Sequence, residues 1–213
     1  WSSDVCSSDL SLQSLQEAGI EPMAINSLLA RLGTSLPIEP CLNLETLASH
    51  FDLTNFSRTP PRFDEQELAH LNHKLFQIMP YNQVKDRLAS LNANQITEDI
   101  WLVIRGNLQT LKDVEVWQKI LFGEPEPIAF LPEDQNFLKL AVSCLPETSW
   151  NQDTWVEWTQ HLKEVTDRKG KTLFMPLRQA LTGLNHGPEM KELLPLIGRE
   201  QAKVRLEKAK ITA

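Results

Sequence analysis

Residue types able to do chemistry are scattered along this chain rather than clustered. The five histidines are His50, His70, His73, His161 and His186. His70 and His73 stand three residues apart, a spacing that can hold a metal, and Glu67 lies one turn earlier. Because Glu67 also suits a helix cap and no cysteine lies nearby, we expect solvated or packed histidines instead. The sequence contains no glycine-rich phosphate loop, HExxH or GxSxG motif, so we predict no catalytic residue and no metal.

Cysteine usage points to a reducing compartment. Three cysteines, Cys6, Cys41 and Cys144, are far apart in the sequence and include no CxxC pair. This spacing argues against a disulfide framework and against a zinc site, and it favours a cytoplasmic location.

The spacing of apolar residues predicts that the elements that hold any functional residue are helices. Tryptophans recur on the apolar helical faces, at Trp101, Trp117, Trp155 and Trp158. We predict that they pack in the core rather than stack on bases. Helix starts are predicted at Pro22, at Asn43, at Asp64 with Glu67 as a capping box, and at Asn82.

Longer-range patterning predicts an all-α fold. One amphipathic run covers residues 99–122, and the glycine- and proline-rich residues 123–127 predict a linker after it. Three basic helical segments follow at 173–181, 188–197 and 199–210. Period-two alternation is absent over any useful length, which argues against a sheet. No stretch approaches the roughly 20 apolar residues of a membrane span, so no membrane association is expected.

Charge is distributed unevenly. The net charge is −7 over 213 residues. Residues 168–213 carry ten Lys and Arg against four Asp and Glu, a net +6, whereas residues 1–167 carry a net −13. Such polarity indicates an anionic partner at the basic end, although a solvated basic helix is the commoner cause of such a charge pattern.

The first ten residues, WSSDVCSSDL, have no helical or strand period and contain a near-repeat. We interpret residues 1–10 as a non-native leader rather than a targeting peptide, because the basic and apolar pattern of a targeting peptide is missing.

The basic end carries a specific motif series. Residues 170–183 read GKTLFMPLRQALTG, residues 185–189 read NHGPE and residues 193–200 read LLPLIGRE. Together they resemble the distal end of the anticodon-binding domain of bacterial-type glutamyl-tRNA synthetases, which are class I aminoacyl-tRNA synthetases.

Three further stretches resemble the same family in the family's order. Residues 19–33 resemble the helix after its ATP loop, residues 62–64 with 71–74 resemble its stem-contact helices, and residues 102–121 resemble the first anticodon-domain layer. The resemblance implies three helical units, a stem-contact unit at 11–80 and anticodon-domain layers at 81–122 and 123–213.

The resemblance also implies what this chain lacks. The family's two ATP-binding motifs, His-Ile-Gly-His and the Lys-x-Ser-Lys loop, do not occur in the sequence. We therefore expect no cofactor and no charging activity here. The parent enzyme would glutamylate tRNA with ATP and Mg²⁺.

Individual RNA contacts are implied by the same resemblance. Arg178 matches the arginine that contacts anticodon bases, a role that suits its planar fork. Lys74 matches a lysine near the tRNA stem, and Asn72 beside it is expected either to contact RNA or to hold local backbone. Lys169, Lys171, Arg199, Lys203 and Arg205 are candidates for phosphate contacts or for plain surface charges.

One position departs from the family. Members that reject glutamine tRNA carry an arginine in the first anticodon-domain helix, where this chain has Asn107, two residues after Arg105. Asparagine is shorter and uncharged, so our hypothesis is that the parent accepts both glutamate and glutamine tRNAs.

A monomer that binds tRNA is expected. The alternative is a helical protein-interaction scaffold that has lost tRNA binding.

Overall fold

The computed structural model describes residues 11–147 and 149–209, so the predicted leader at 1–10 lies outside the described residues. The described part of the chain contains twelve α-helices and no strand, apart from an isolated bridge between Thr34 and Phe56. The predicted all-α fold is confirmed. None of the described helices is long and apolar enough to cross a membrane.

The α-helices are α1 Leu12–Glu17, α2 Pro22–Leu29, α3 Leu44–Ser49, α4 Glu65–Ile78, α5 Tyr81–Ser90, α6 Glu98–Ile104, α7 Val114–Phe122, α8 Pro132–Ser143, α9 Thr154–Val165, α10 Lys171–Thr182, α11 Met190–Ile197 and α12 Arg199–Ala209. Short 3₁₀ turns occur at Leu53–Asn55, Arg105–Asn107 and Leu111–Asp113.

The described chain forms two compact units. The first unit comprises residues 11–94 and 105–114, and the second comprises 95–104 and 115–209. These bounds differ from the predicted 11–80, 81–122 and 123–213. That division concerns the family's domains and stays a prediction.

Local signals set several helix starts in the first unit. Pro22 begins α2 as predicted, and Asn43 caps α3, its Oδ1 accepting from the Thr46 amide at 2.8 Å. Asp64 caps α4 but accepts from the Gln66 amide instead of completing a box with Glu67. Asn82 was predicted as a cap and is not one, because α5 begins one residue earlier, directly after Pro80.

The predicted continuous helix over 99–122 is broken in the middle. The Asp113 carboxylate accepts from the amides of Gln109 and Thr110 at 2.8 and 2.9 Å. Such side-chain bonds offer the backbone an alternative to the helix, and Gly106 lowers helix propensity just before them. Two 3₁₀ turns therefore separate α6 from α7.

The second unit packs around buried tryptophans. Trp101, Trp117 and Trp158 are at most 4% exposed, as predicted. Trp155 is half-buried and lies against Trp158 and Phe174, with ring centroids 5.8 and 6.1 Å apart. The three basic segments form α10, α11 and α12, which pack with α8 and α9.

Candidate nucleic-acid interface

The predicted RNA contacts divide between the two units. Asn72, Lys74, Arg105 and Asn107 belong to the first unit, and Lys169, Lys171, Arg178 and Arg199 belong to the second. Each group is therefore a candidate surface in its own unit.

Asn72 lies in the interior of the first unit. It is fully buried, its Oδ1 accepts from the Glu21 amide at 2.8 Å, and its Nδ2 donates to the carbonyls of Gly19 and Gln109 at 3.3 and 2.7 Å. A buried amide with its oxygen and nitrogen both bonded to backbone cannot contact RNA without breaking those bonds. The predicted RNA contact at Asn72 is therefore corrected to the other role considered, that of holding backbone.

The 3₁₀ turn Arg105–Asn107 packs on α4. Arg105 Nη1 donates to the Met79 carbonyl at 3.0 Å, and His73 Nδ1 lies 2.7 Å from the Leu108 carbonyl oxygen. Arg105 thus has a structural partner. Asn107 was expected on a helix and lies on this turn, half-buried.

Lys74 is half-buried on α4, and it makes no ion pair within the described part of the chain. Its ammonium is accordingly free to meet a phosphate.

Helix α10 positions the central candidate residue. Leu173, Leu177 and Leu181 recur at helical spacing and are fully buried, which fixes the face that packs inward. Gly183 ends the helix in the left-handed region at φ 72°, where glycine carries little steric cost. Residues 184–189 then form a loop before α11.

Pro176 interrupts the hydrogen bonding of α10 near its start. Proline has no N–H, so the Thr172 carbonyl one turn earlier loses its usual helical donor. Arg168 Nη1 donates to that carbonyl at 3.0 Å. Arg168 also pairs with Asp134, donates to the Glu133 carbonyl and lies over the Phe137 ring, so it anchors α10 to α8.

The two terminal nitrogens of the Arg178 guanidinium differ in their hydrogen bonding. Nη2 donates to the Pro188 carbonyl at 2.8 Å, whereas Nη1 is buried and has no hydrogen-bond partner among the described residues. Burial lowers the pKa of Arg178 from its ordinary value. A buried donor left unpaired is costly, so an acceptor that reached this nitrogen after the loop over it moved aside would stabilise it.

Gly187 lets the loop close over Arg178. Its φ of 143° disfavours other residues, and a Cβ there would lie 2.9 Å from Trp117 and 3.4 Å from Arg178 Nη1. The loop residue next to the guanidinium is therefore restricted to glycine by both backbone conformation and space.

Lys169 and Lys171 flank the start of α10 and are both exposed. Neither makes an ion pair within the described ranges. No acidic residue lies in the first turn of α10, so this end of the helix combines cationic side chains with the positive end of the helix dipole.

Arg199 is occupied by the protein. Its Nε donates to the Pro146 carbonyl at 3.1 Å, and its Nη1 lies 3.2 Å from a Glu200 oxygen. Because these contacts use and partly neutralise the guanidinium, they favour a structural role over the predicted phosphate contact.

The structure contradicts the predicted phosphate contact more clearly at Arg205. It is 7% exposed and donates to the carbonyls of Leu181, Ile120 and Gly123 and to the Gln201 side chain at 2.6 to 3.0 Å. Burial lowers the pKa of Arg205 to about 10. The predicted phosphate contact is therefore wrong for Arg205, while Lys203 on the same helix is exposed.

Sequence reasoning missed an amide pair beside Arg178. Gln179 Nε2 donates to Asn185 Oδ1 at 2.6 Å, which ties the loop to α10. The pair joins positions six residues apart across a helix end, a contact that no local pattern signals.

A cavity of about 520 Å³ opens in the second unit. Apolar groups including Phe122, Ile128 and Val204 line it, together with Glu124, Glu126, Gln179, Glu200 and Lys208. Three carboxylates outnumber the two cations of the lining, Arg205 and Lys208, and the net negative charge disfavours the phosphates of an RNA backbone.

The described ranges contain no group of three or more His, Cys, Asp and Glu side chains that could hold a metal ion. His70 is exposed and His73 is held by backbone, which leaves them in the solvated and packed roles we expected.

Comparison with known proteins shows the family to which this chain belongs. The family model described as "Anticodon binding domain" matches residues 67–210. The chain belongs to the anticodon-binding domain family.

Individual relatives narrow the assignment. Glutamate–tRNA ligase 1 of Parvibaculum lavamentivorans is 47% identical over 92% of this chain and 43% of its own length. Glutamate–tRNA ligase 2 of Orientia tsutsugamushi is 45% identical over 89% of this chain and 42% of its own length. The matched region is the C-terminal part of bacterial-type glutamyl-tRNA synthetases. The chain thus spans less than half the length of these relatives.

A solved structure supports the fold. The crystal structure of a glutamate tRNA ligase from Elizabethkingia meningosepticum superposes with a TM-score of 0.74 at 23% identity, covering 93% of this chain and 42% of that one.

Proposed function

We propose that this chain binds tRNA and reads its anticodon through the second unit, with Arg178 contacting a base. The observation that carries the proposal concerns Arg178, which lies inside the region that the family model matches. Its Nη2 donates to the Pro188 carbonyl, whereas its Nη1 has no hydrogen-bond partner among the described residues. Exposed Lys169 and Lys171, which begin the same helix, would contact phosphates and position the RNA without reading its sequence.

The whole protein would be a cytoplasmic glutamate–tRNA ligase. ATP and Mg²⁺ would act in the part of the relatives that this chain does not match, and the chain described here would contribute orientation. Binding energy at the anticodon can be used to place the acceptor end at a distant reacting centre. We propose glutamate tRNA as the partner and a monomer as the active form.

Binding of the full chain to glutamate tRNA, an anticodon-altered copy and an unrelated tRNA at two salt concentrations tests the proposal. Arg178→Lys keeps the charge but removes the two-pronged fork. We expect it to weaken binding to glutamate tRNA about tenfold and to reduce selectivity for the anticodon.

The matched control is Lys139→Ala, which removes an exposed charge from α8 and should leave selectivity unchanged. A folded helical spectrum with no tRNA binding at low salt would defeat the proposal and favour the protein-interaction scaffold. Equal affinity for all three RNAs would reject anticodon reading while leaving general RNA binding.

A further inference from the structure

The Gln179–Asn185 pair leaves two polar atoms unused. One amide hydrogen bond joins Gln179 Nε2 to Asn185 Oδ1, and neither side chain makes another hydrogen bond within the described residues. The Gln179 oxygen remains an acceptor and the Asn185 nitrogen remains a donor. Asn185 is exposed and Gln179 is half-buried, so the pair is held in place yet accessible from solvent.

The pair lies close to Arg178. Gln179 follows Arg178 on α10, and both side chains bind the same loop, at Asn185 and at Pro188. Three residues span at most about 11 Å when fully extended, so the Cα atoms of Asn185 and Pro188 lie within that distance. A single RNA strand on this surface can meet the guanidinium and the amide pair with neighbouring nucleotides.

Local charge selects which part of an RNA the amide pair can bind. Gln179 lines the cavity of the second unit together with Glu124, Glu126 and Glu200. The Glu126 side chain is exposed and makes no ion pair in the described part of the chain. Carboxylates around the same cavity disfavour a phosphate next to Gln179 and leave the uncharged base as the suitable ligand.

We propose that Gln179 and Asn185 form a second base-reading group beside Arg178. This inference rests on the proposed function and adds specificity-determining residues to it. An amide acceptor beside an amide donor matches a base edge that presents a donor beside an acceptor, and the position of the pair next to Arg178 restricts this pairing to one nucleotide of the bound strand.

The test uses the full chain and an RNA hairpin with the anticodon loop of glutamate tRNA, with each anticodon base replaced in turn. Gln179→Leu, and separately Asn185→Ala, should lower discrimination at one and the same base by roughly 5- to 100-fold. The salt dependence of binding should not change, because no phosphate contact is lost. Gln160→Leu is the matched control, an exposed amide on α9 that pairs with Glu164.

The outcomes separate this inference from the proposed function. If the unaltered chain discriminates bases and Arg178→Lys weakens binding, but both amide variants keep full discrimination, the second reading group is rejected alone. Equal weakening on every RNA also rejects it. Failure of the unaltered chain to discriminate any base overturns both. Asn185→Ala changes only an exposed, uncharged side chain, so it guards against misfolding of Gln179→Leu.

Discussion

Two arginines of the second unit show how burial separates residues of one type. Arg205 has backbone carbonyls and a glutamine around its guanidinium, and its pKa of about 10 keeps it protonated at neutral pH. Arg178 has one carbonyl partner and one buried nitrogen without a partner among the described residues. The saturated arginine stabilises the fold, whereas the unsaturated one retains a donor for a ligand.

The buried hydrogen bonds of Asn72 predict a loss of stability when this side chain is removed. Asn72→Ala removes three hydrogen bonds and leaves an amide and two carbonyls of the first unit unpaired. We expect the free energy of unfolding to fall by about 2 to 4 kcal/mol, measured by urea denaturation followed by circular dichroism.

Gln66→Ala, at an exposed position on the same helix, is the matched control and should change stability by less than about 0.5 kcal/mol. A stable Asn72→Ala protein with impaired tRNA binding would restore the RNA-contact role originally considered for this residue.

At the scale of elements, Arg205 ties two helix ends together. Its guanidinium binds the Leu181 carbonyl near the end of α10 and the Ile120 and Gly123 carbonyls at the end of α7. Helix C-termini carry unpaired carbonyls and partial negative charge, so a cation is favoured at both. Arg205 thereby sets where α10 lies, and with it Arg178.

Arg205→Met keeps an apolar stem but leaves these carbonyls unpaired. We expect a loss of at least about 3 kcal/mol in the free energy of unfolding. Tryptophan fluorescence during denaturation is a suitable measure, because every tryptophan of the described residues lies in the second unit.

Lys203→Met on the same helix is exposed and should be nearly neutral. Equal stability of the two variants would show that the Arg205 contacts contribute little to holding α7 and α10.

At the scale of the whole molecule, binding must come from a chain that is acidic overall. The excess of positive charge is confined to residues 168–213, so the anionic partner is expected to contact that end of the sequence. Asn107 belongs to the other unit, and our hypothesis is that it affects which tRNA is accepted rather than how strongly RNA binds in general.

The hypothesis of relaxed specificity predicts that acceptance of glutamine tRNA depends on position 107. Asn107 is half-buried and uncharged, and we expect the unaltered chain to bind glutamate and glutamine tRNAs within about tenfold of each other. Asn107→Arg should raise the preference for glutamate tRNA, measured by competition between the two transcripts.

Gln109→Arg adds the same charge at an exposed position nearby and is the control. A strong preference for glutamate tRNA in the unaltered chain would refute the hypothesis of relaxed specificity.

Local sequence determined the helical class, the starts at Pro22 and Asn43, and the motif series that identifies the family, because caps and helical periodicity act over one or two turns. Tertiary structure alone decided that Asn72 and Arg205 are interior and that Gln179 meets Asn185. Asn72 bonds to residues 37 to 53 positions away and Arg205 to residues 24 to 85 positions away. Contacts at such separations depend on how the helices pack. The sequence of a basic helix therefore does not show whether packing buries one of its arginines or leaves it exposed.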